Sequence, residues 1–203
     1  MSPKALTGII AIGLVLLIGL VLLFSGISTY NKMVRLDENV TEKWAQVEND
    51  YQRRADLIPN LVKTVRSYAE YEQETLTEVV EARAKATSVT VDPSNLNAQS
   101  IQQFQQAQEG LNSALSKLLV VVEKYPDLKA NQNYLDLQRQ LEGTENRISN
   151  ARRKFNEGTR EYNGYIKRFW PRMLASWFGF EEKAYFEAKE GAEEAPDVGD
   201  YLD

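Results

Sequence analysis

The 203-residue chain contains no cysteine and no histidine. Without cysteine there are no disulfides and no thiol chemistry, and the sequence is indifferent to redox compartment. Without histidine it lacks the commonest general base near neutral pH and the commonest transition-metal ligand. Ser-His-Asp and Cys-His sites, zinc sites and the Glu-x-x-His di-iron bundle are all excluded. No run of glycines follows a strand, so no phosphate-cradling loop is expected. Strict apolar-polar alternation with glycine turns is also missing, which removes a sheet from consideration. Nor is there an excess of positive charge. The formal net charge is −5, whereas a nucleic-acid binder carries a net basic domain. The composition therefore implies no cofactor, no nucleic acid and no small-molecule substrate.

What the chain does have is one long apolar run. Ala5 to Phe24 is free of charge, and its roughly 20 residues at about 1.5 Å each reach about 30 Å, one bilayer core. A cleaved signal would have a shorter apolar core and a small-residue cleavage site. Here Ser25-Gly26-Ile27-Ser28-Thr29-Tyr30 follows instead, so the run is expected to stay as an anchor. Gly8, Gly13 and Gly19 lie within it, but no two have G-x-x-x-G spacing. The expected organisation is a membrane anchor at 1–28, a helical domain at 29–180 and an acidic tail at 181–203. The tail, with nine acids against two lysines, has the composition of a flexible end, with Tyr185-Phe186 able to dock on the domain.

Between anchor and tail the apolar residues recur at helical spacing. Val40, Trp44, Val47, Tyr51, Ile58, Leu61, Val65 and Tyr68 alternate steps of three and four, with Arg54 filling the gap. Ile101, Phe104, Gln108, Leu111, Leu115, Leu118, Val122 and Tyr125 form a second seam, and Leu137, Leu141, Ile148, Phe155, Tyr162, Ile166 and Phe169 a third. Breaks are expected at Pro59, at Thr87 to Asn95, at Pro126 and at Trp170-Pro171. The fold class is thus all-α, an N-terminal transmembrane helix plus a long antiparallel up-and-down helical bundle. Taking Pro59 and Pro126 as corners gives four helices over about 30–57, 59–87, 93–125 and 128–170. The alternative is three long helices with a kink at Pro59.

An even number of antiparallel helices returns the end of the last one to the membrane. That end is rich in aromatic and basic residues, with Arg168, Trp170, Arg172, Trp177 and Phe178 as candidates for the bilayer interface. Each Lys or Arg near an anionic surface contributes on the order of 1 kcal/mol. The competing expectation is that these aromatics close the end of the bundle and that Asp37, Glu38, Glu42, Glu48 and Asp50 neutralise the bases. Within the seams, Arg54, Glu145 and Arg152 stand where aliphatics are the default. A lone buried charge costs several kcal/mol, so they are expected to join a structural polar network with Asn146, Asn156 or Asn163.

Several blocks resemble the LemA family of bacterial membrane proteins. They are Tyr30-Asn31-Lys32-Met33-Val34, Trp44 with its spacing to Arg53-Arg54-Ala55-Asp56-Leu57-Ile58-Pro59-Asn60-Leu61-Val62, and Glu123-Lys124-Tyr125-Pro126-Asp127-Leu128-Lys129-Ala130. Thr144-Glu145-Asn146-Arg147-Ile148 with Arg152, Phe155-Asn156, Tyr162-Asn163, Gly179-Phe180 and Tyr185-Phe186-Glu187 continue the match in order. The resemblance implies an N-terminal anchor and a long-helix bundle of bromodomain-like up-and-down topology. It implies no established enzymatic reaction, and a magnetosome-associated relative is linked to vesicle formation. Phe155, where relatives often have Tyr, and Trp170 before the proline are departures.

The expected function is a non-enzymatic scaffold in the bacterial inner membrane that self-associates and organises or shapes the membrane surface. The alternative is an adaptor or regulator of another membrane protein, a protease or sensor, with the acidic tail as docking element. Lys32, Arg35 and Lys43 follow the span and only Lys4 precedes it, which favours the cytoplasm for the bundle over the periplasm or the cell exterior.

Overall fold

A computed structural model describes the backbone of residues 3–187 and the side chains of residues 12–187. Among the described residues the chain is all helical, with six helices and no strand. They are α1 (Pro3–Arg66), α2 (Gln73–Ser88), α3 (Ala98–Val122), α4 (Pro126–Lys129), α5 (Gln132–Ile166) and α6 (Phe169–Phe178).

Nothing interrupts α1 between the apolar run and the first seam. Its 64 residues at about 1.5 Å each extend roughly 96 Å. One segment near its start is long and apolar enough to cross a membrane, and from Ile12 to Phe24 its large side chains are at least half exposed. From Met33 onward the buried positions are the seam residues, Val40, Trp44, Val47, Tyr51, Ile58, Leu61 and Val65. Tyr68 is the exception, since it lies beyond the end of α1 and is 42% exposed.

Pro59 is not a corner. It lies inside α1, on the exposed side. A proline in a helix leaves the carbonyl four residues earlier without its N–H donor. Here that carbonyl belongs to Ala55, and the Nε of Arg83 on α2 donates to it at 2.7 Å. The defect in one helix thus becomes an attachment point for the next. The chain turns at residues 67–72 instead, where Tyr68 and Ala69 both donate to the Val65 carbonyl.

The other boundaries follow from caps. Asn97 accepts from the Ser100 amide to start α3, and Asn131 accepts from the Tyr134 amide to start α5. Pro126 occupies the first turn of α4, the single turn linking α3 to α5. The third seam stops earlier than its spacing suggests. Arg168 is extended, α6 starts afresh at Phe169, and Pro171 falls in its first turn, where its missing N–H costs nothing. Phe169, in phase with the seam, is consequently 84% exposed.

Side-chain pairings give the directions of the helices. Trp44 meets Phe155 and Arg54 meets Glu145, so α5 runs against α1. Trp44 meets Phe104 and Arg54 meets Gln108, so α3 runs with α1. Lys117 pairs with Glu78 and Tyr125 with Glu72, so α2 runs against α3. α5 comes close to α1 at Gly158, where an added Cβ would sit 2.7 Å from Cδ of Lys43.

The buried apolar residues fall into two clusters. The membrane-proximal one contains Met33, Trp44, Phe104, Phe155 and Tyr162, and the distal one Ile58, Leu61, Leu76, Leu111, Leu118 and Tyr134.

If Arg83 substitutes for the amide that Pro59 lacks, Arg83→Ala should destabilise the chain by about 1.5–3 kcal/mol, the worth of a charge-assisted hydrogen bond. In a Pro59→Ala background the residue 59 amide reclaims the Ala55 carbonyl, and the same substitution should cost less than half as much. Equal costs in the two backgrounds, measured by denaturant unfolding, would refute the link.

Candidate functional site

The polar seam residues separate into two sites. Arg54 stands between Tyr51 of the proximal cluster and Ile58 of the distal one, and is 2% exposed. Its Nη2 donates to Gln108 Oε1 at 2.7 Å, and its Nη1 donates to Asn112 Oδ1 and, at 3.0 Å, to Glu145 Oε2. Gln108 passes the network on by donating to the Ala86 carbonyl at the end of α2. One guanidinium thus links α1, α3 and α5 directly and α2 through Gln108. Glu145 is the one charged partner, and the other contacts come from Gln108 and the half-buried Asn112, which the sequence reading did not assign to the network. Asn146 is exposed and lies outside it.

Arg152 and Asn156 serve a different purpose. They hold residues 181–187, which belong to the folded core rather than to a tail beginning at 181. Asn163 Nδ2 donates to the Lys183 carbonyl at 2.8 Å while its Oδ1 accepts from the Lys183 amide at 3.0 Å. Asn156 repeats the arrangement on Phe186, with both bonds at 2.9 Å. These two asparagines, seven residues apart on α5, grip the strap by its backbone. Arg152 donates to the Glu187 carbonyl at 3.1 Å, and its guanidinium lies 4.8 Å from the Phe186 ring centroid. Phe186 is 4% exposed and packs against Trp44, Phe104 and Phe155. Lys183, also buried, pairs with Asp37 at 2.8 Å. Burial pushes the Tyr162 phenol well above its usual range, and its hydroxyl donates to the Glu181 carbonyl. The only sequence signal for the strap was the aromatic pair Tyr185-Phe186 in an acidic run. Residues 188–203 of the expected flexible tail lie outside the described residues.

The strap is led in by α6, which sits where α1 leaves its apolar segment. The Tyr30 ring packs edge-on against Phe178 at 4.8 Å and Phe180 at 5.8 Å. Pro171, Leu174 and Ala175 face inward. Phe169, Trp177 and Phe178 face outward at 84, 78 and 57% exposure, and Arg168 and Arg172 are exposed too. Trp170 is half-buried. Gly179, with φ of +74°, ends the helix in the left-handed conformation that glycine adopts without strain and turns the chain into the strap. One face of α6 thus closes the end of the domain, and the other is open. Of the acids on α1, Asp37 neutralises a strap lysine and Asp50 accepts from Gln46.

An all-helical chain with a span-length apolar segment and an aromatic helix beside it is a membrane-associated helical protein. The LemA family model matches residues 43–199, and the chain belongs to that family. The match begins at Lys43, beyond the apolar segment. Protein LemA of Metamycoplasma hominis is 25% identical over 163 residues, covering 79% of this chain and 69% of that protein. Magnetosome protein MamQ of Magnetospirillum gryphiswaldense is 28% identical over 180 residues, covering 79% of this chain and 65% of that protein. Magnetosome protein MamQ 2 of Paramagnetospirillum magneticum is 27% identical with the same coverage. The chain thus spans about two thirds of the length of these relatives.

The geometry predicts unequal costs within the Arg54 layer. Arg54→Ala leaves the buried Gln108 and the half-buried Asn112 without their donor and vacates the volume of a buried side chain, and a loss of roughly 3–5 kcal/mol is expected. Glu145 is 56% exposed, which screens its charge, and the substituted amide keeps an acceptor for the buried Arg54, so Glu145→Gln should cost less than half as much as Arg54→Ala. Denaturant unfolding of the two variants compares them, and a Glu145 effect as large as that of Arg54 contradicts the assignment.

For the strap, Asn163→Ala removes a two-bond grip on the backbone and should cost about 1–3 kcal/mol. It should also raise amide exchange at residues 181–187 before the helices are affected. Unchanged protection there would show that the strap is held by something else.

Proposed function

We propose that this protein is a non-enzymatic, single-pass scaffold of the bacterial inner membrane, which self-associates and organises or shapes the membrane surface through the end of its helical domain nearest the bilayer. The domain is read as an antiparallel four-helix bundle made of the water-exposed part of α1 with α2, α3 and α5. The observation that carries the proposal is the position of α6. Its exposed Phe178 packs against Tyr30, and its exposed Trp177 lines the groove that Tyr30 also lines, at the point where α1 emerges from its apolar segment. Aromatic side chains with flanking arginines at that level suit the headgroup region of a bilayer.

Apolar residues left exposed away from the membrane support self-association. Val80 on α2 and Leu119 and Val120 on α3 are 47, 43 and 66% exposed. The bases after the span favour the cytoplasmic side for the domain. Kinship with magnetosome proteins supports a role at a membrane surface. The adaptor reading has less support, because Glu181 to Glu187 of its docking element are engaged in the chain's own core.

The full chain should run as a discrete homo-oligomer in mild detergent and should cluster or deform liposomes. Trp177→Ser with Phe178→Ser should weaken the liposome effect severalfold and leave the helical content unchanged. A strict monomer that leaves liposomes unaltered would overturn the proposal. A reporter fused after Asp203 tests the side of the membrane, and activity only outside the cytoplasm contradicts that placement.

A further inference from the structure

Between α6 and the emerging part of α1 runs a groove of about 510 Å³. Gly19, Leu23 and Gly26 form one wall, and Leu174, Trp177 and Phe178 the other. From Gly19 to Tyr30 it follows α1 for about 16 Å, roughly half of the 30 Å hydrocarbon core and hence about one leaflet. Its lining is almost wholly apolar, and one wall is the apolar segment itself.

Cations stand at the level where the groove ends. The Nζ of Lys32 lies 4.7 Å from the centroid of the Tyr165 ring, and Arg168 lies 5.5 Å from the same centroid. The Arg172 amide donates to the Arg168 carbonyl, so Arg172 follows one turn later. Nearby Lys167 is paired with Glu182 and Lys183 with Asp37, but Lys32, Arg168 and Arg172 have no carboxylate partner among the described residues. An apolar slot one leaflet long with unpaired cations at its polar end matches the two parts of one molecule, an acyl chain and an anionic headgroup.

We propose that this groove is a binding site for an anionic phospholipid, with an acyl chain between α1 and α6 and the headgroup phosphate against Lys32, Arg168 and Arg172. This rests on the reading of α6 as a helix at the bilayer interface and adds selectivity for one lipid class. Gly19 and Gly26 have a function in it, since a Cβ added at either meets nothing within 4 Å. The space they leave belongs to the lipid.

The test uses the full chain in phosphatidylcholine nanodiscs carrying trace spin-labelled phosphatidylglycerol or spin-labelled phosphatidylcholine. The immobilised signal should favour phosphatidylglycerol by roughly fivefold or more. Arg168→Gln with Arg172→Gln should bring the ratio close to one while an immobilised signal remains. Gly26→Leu should reduce the signal for both lipids. Absence of selectivity in the parent chain, or selectivity that survives the double substitution, overturns the proposal. So does rapid disulfide dimerisation of Gly26→Cys in this otherwise cysteine-free chain, because a second copy would then fill the groove. Quenching by brominated lipid, compared between the parent chain and Trp177→Phe, keeps the two readings apart. If Trp177 is quenched without lipid selectivity, only the groove proposal fails; if Trp177 is not quenched, the interfacial reading fails as well.

Discussion

The structure depends on one buried charge. The guanidinium of Arg54 is almost fully removed from water between two apolar clusters, and burial of an unpaired cation is among the largest penalties a core can carry. It is offset only if Gln108, Asn112 and Glu145 arrive together, which requires α3 and α5 each to be in one register against α1. Apolar seams with 3-4 spacing tolerate a slip of a heptad, because Leu, Ile and Val are interchangeable to a first approximation. A fork of donors facing three acceptors does not. The polar layer therefore selects among packings that hydrophobic burial alone would leave close in energy.

Register at that layer sets what happens 11 to 18 residues further along α5, roughly 16–27 Å at about 1.5 Å per residue. With α5 fixed against α1, Asn163 and Asn156 come to rest above the proximal cluster, and Phe186 enters the aromatic box of Trp44, Phe104 and Phe155. The strap cannot seat there without Gly179 reversing the chain, and the position of Gly179 is fixed by α6. Strap and α6 thus constrain each other. The strap holds α6 against Tyr30, and α6 delivers the strap to the asparagines. Exposed Trp177 and Phe178 are consequently presented by a helix tied at both ends.

Much of this was legible in the sequence, and the misses have physical causes. The seam from Val40 to Val65 could be read because burial selects apolar residues at the helical period. Pro59 looked like a corner because the missing amide was visible and its replacement, Arg83, lies 24 residues away in another helix. Phe169 kept phase with a helix that had already ended, since periodicity does not register an extended residue such as Arg168. Arg54 was recognisable as a charge out of place, with Glu145 as a partner. Gln108 was read as part of a seam, because a neutral amide does not signal an ion network. The strap was nearly invisible, since it is held by its backbone and asparagines that grip a backbone leave no pattern in the segment they grip.

The unbroken course of α1 makes these constraints matter at the membrane. A flexible joint after Phe24 would let the domain adopt any tilt, and α6 would meet the bilayer only by chance. The helix instead passes from the apolar segment into the seam without a break, and the residues around Gly26 stay helical. The orientation of the domain is then the orientation of the apolar segment, and in the proposed function α6 adds a second contact about one leaflet above the middle of that segment. Two contacts on one stiff body define a tilt, whereas a single anchor defines only a position. The proposed scaffold role follows from that geometry: copies that each hold one angle to the bilayer would, once associated, impose that angle on the membrane between them, and no catalytic chemistry is needed for it.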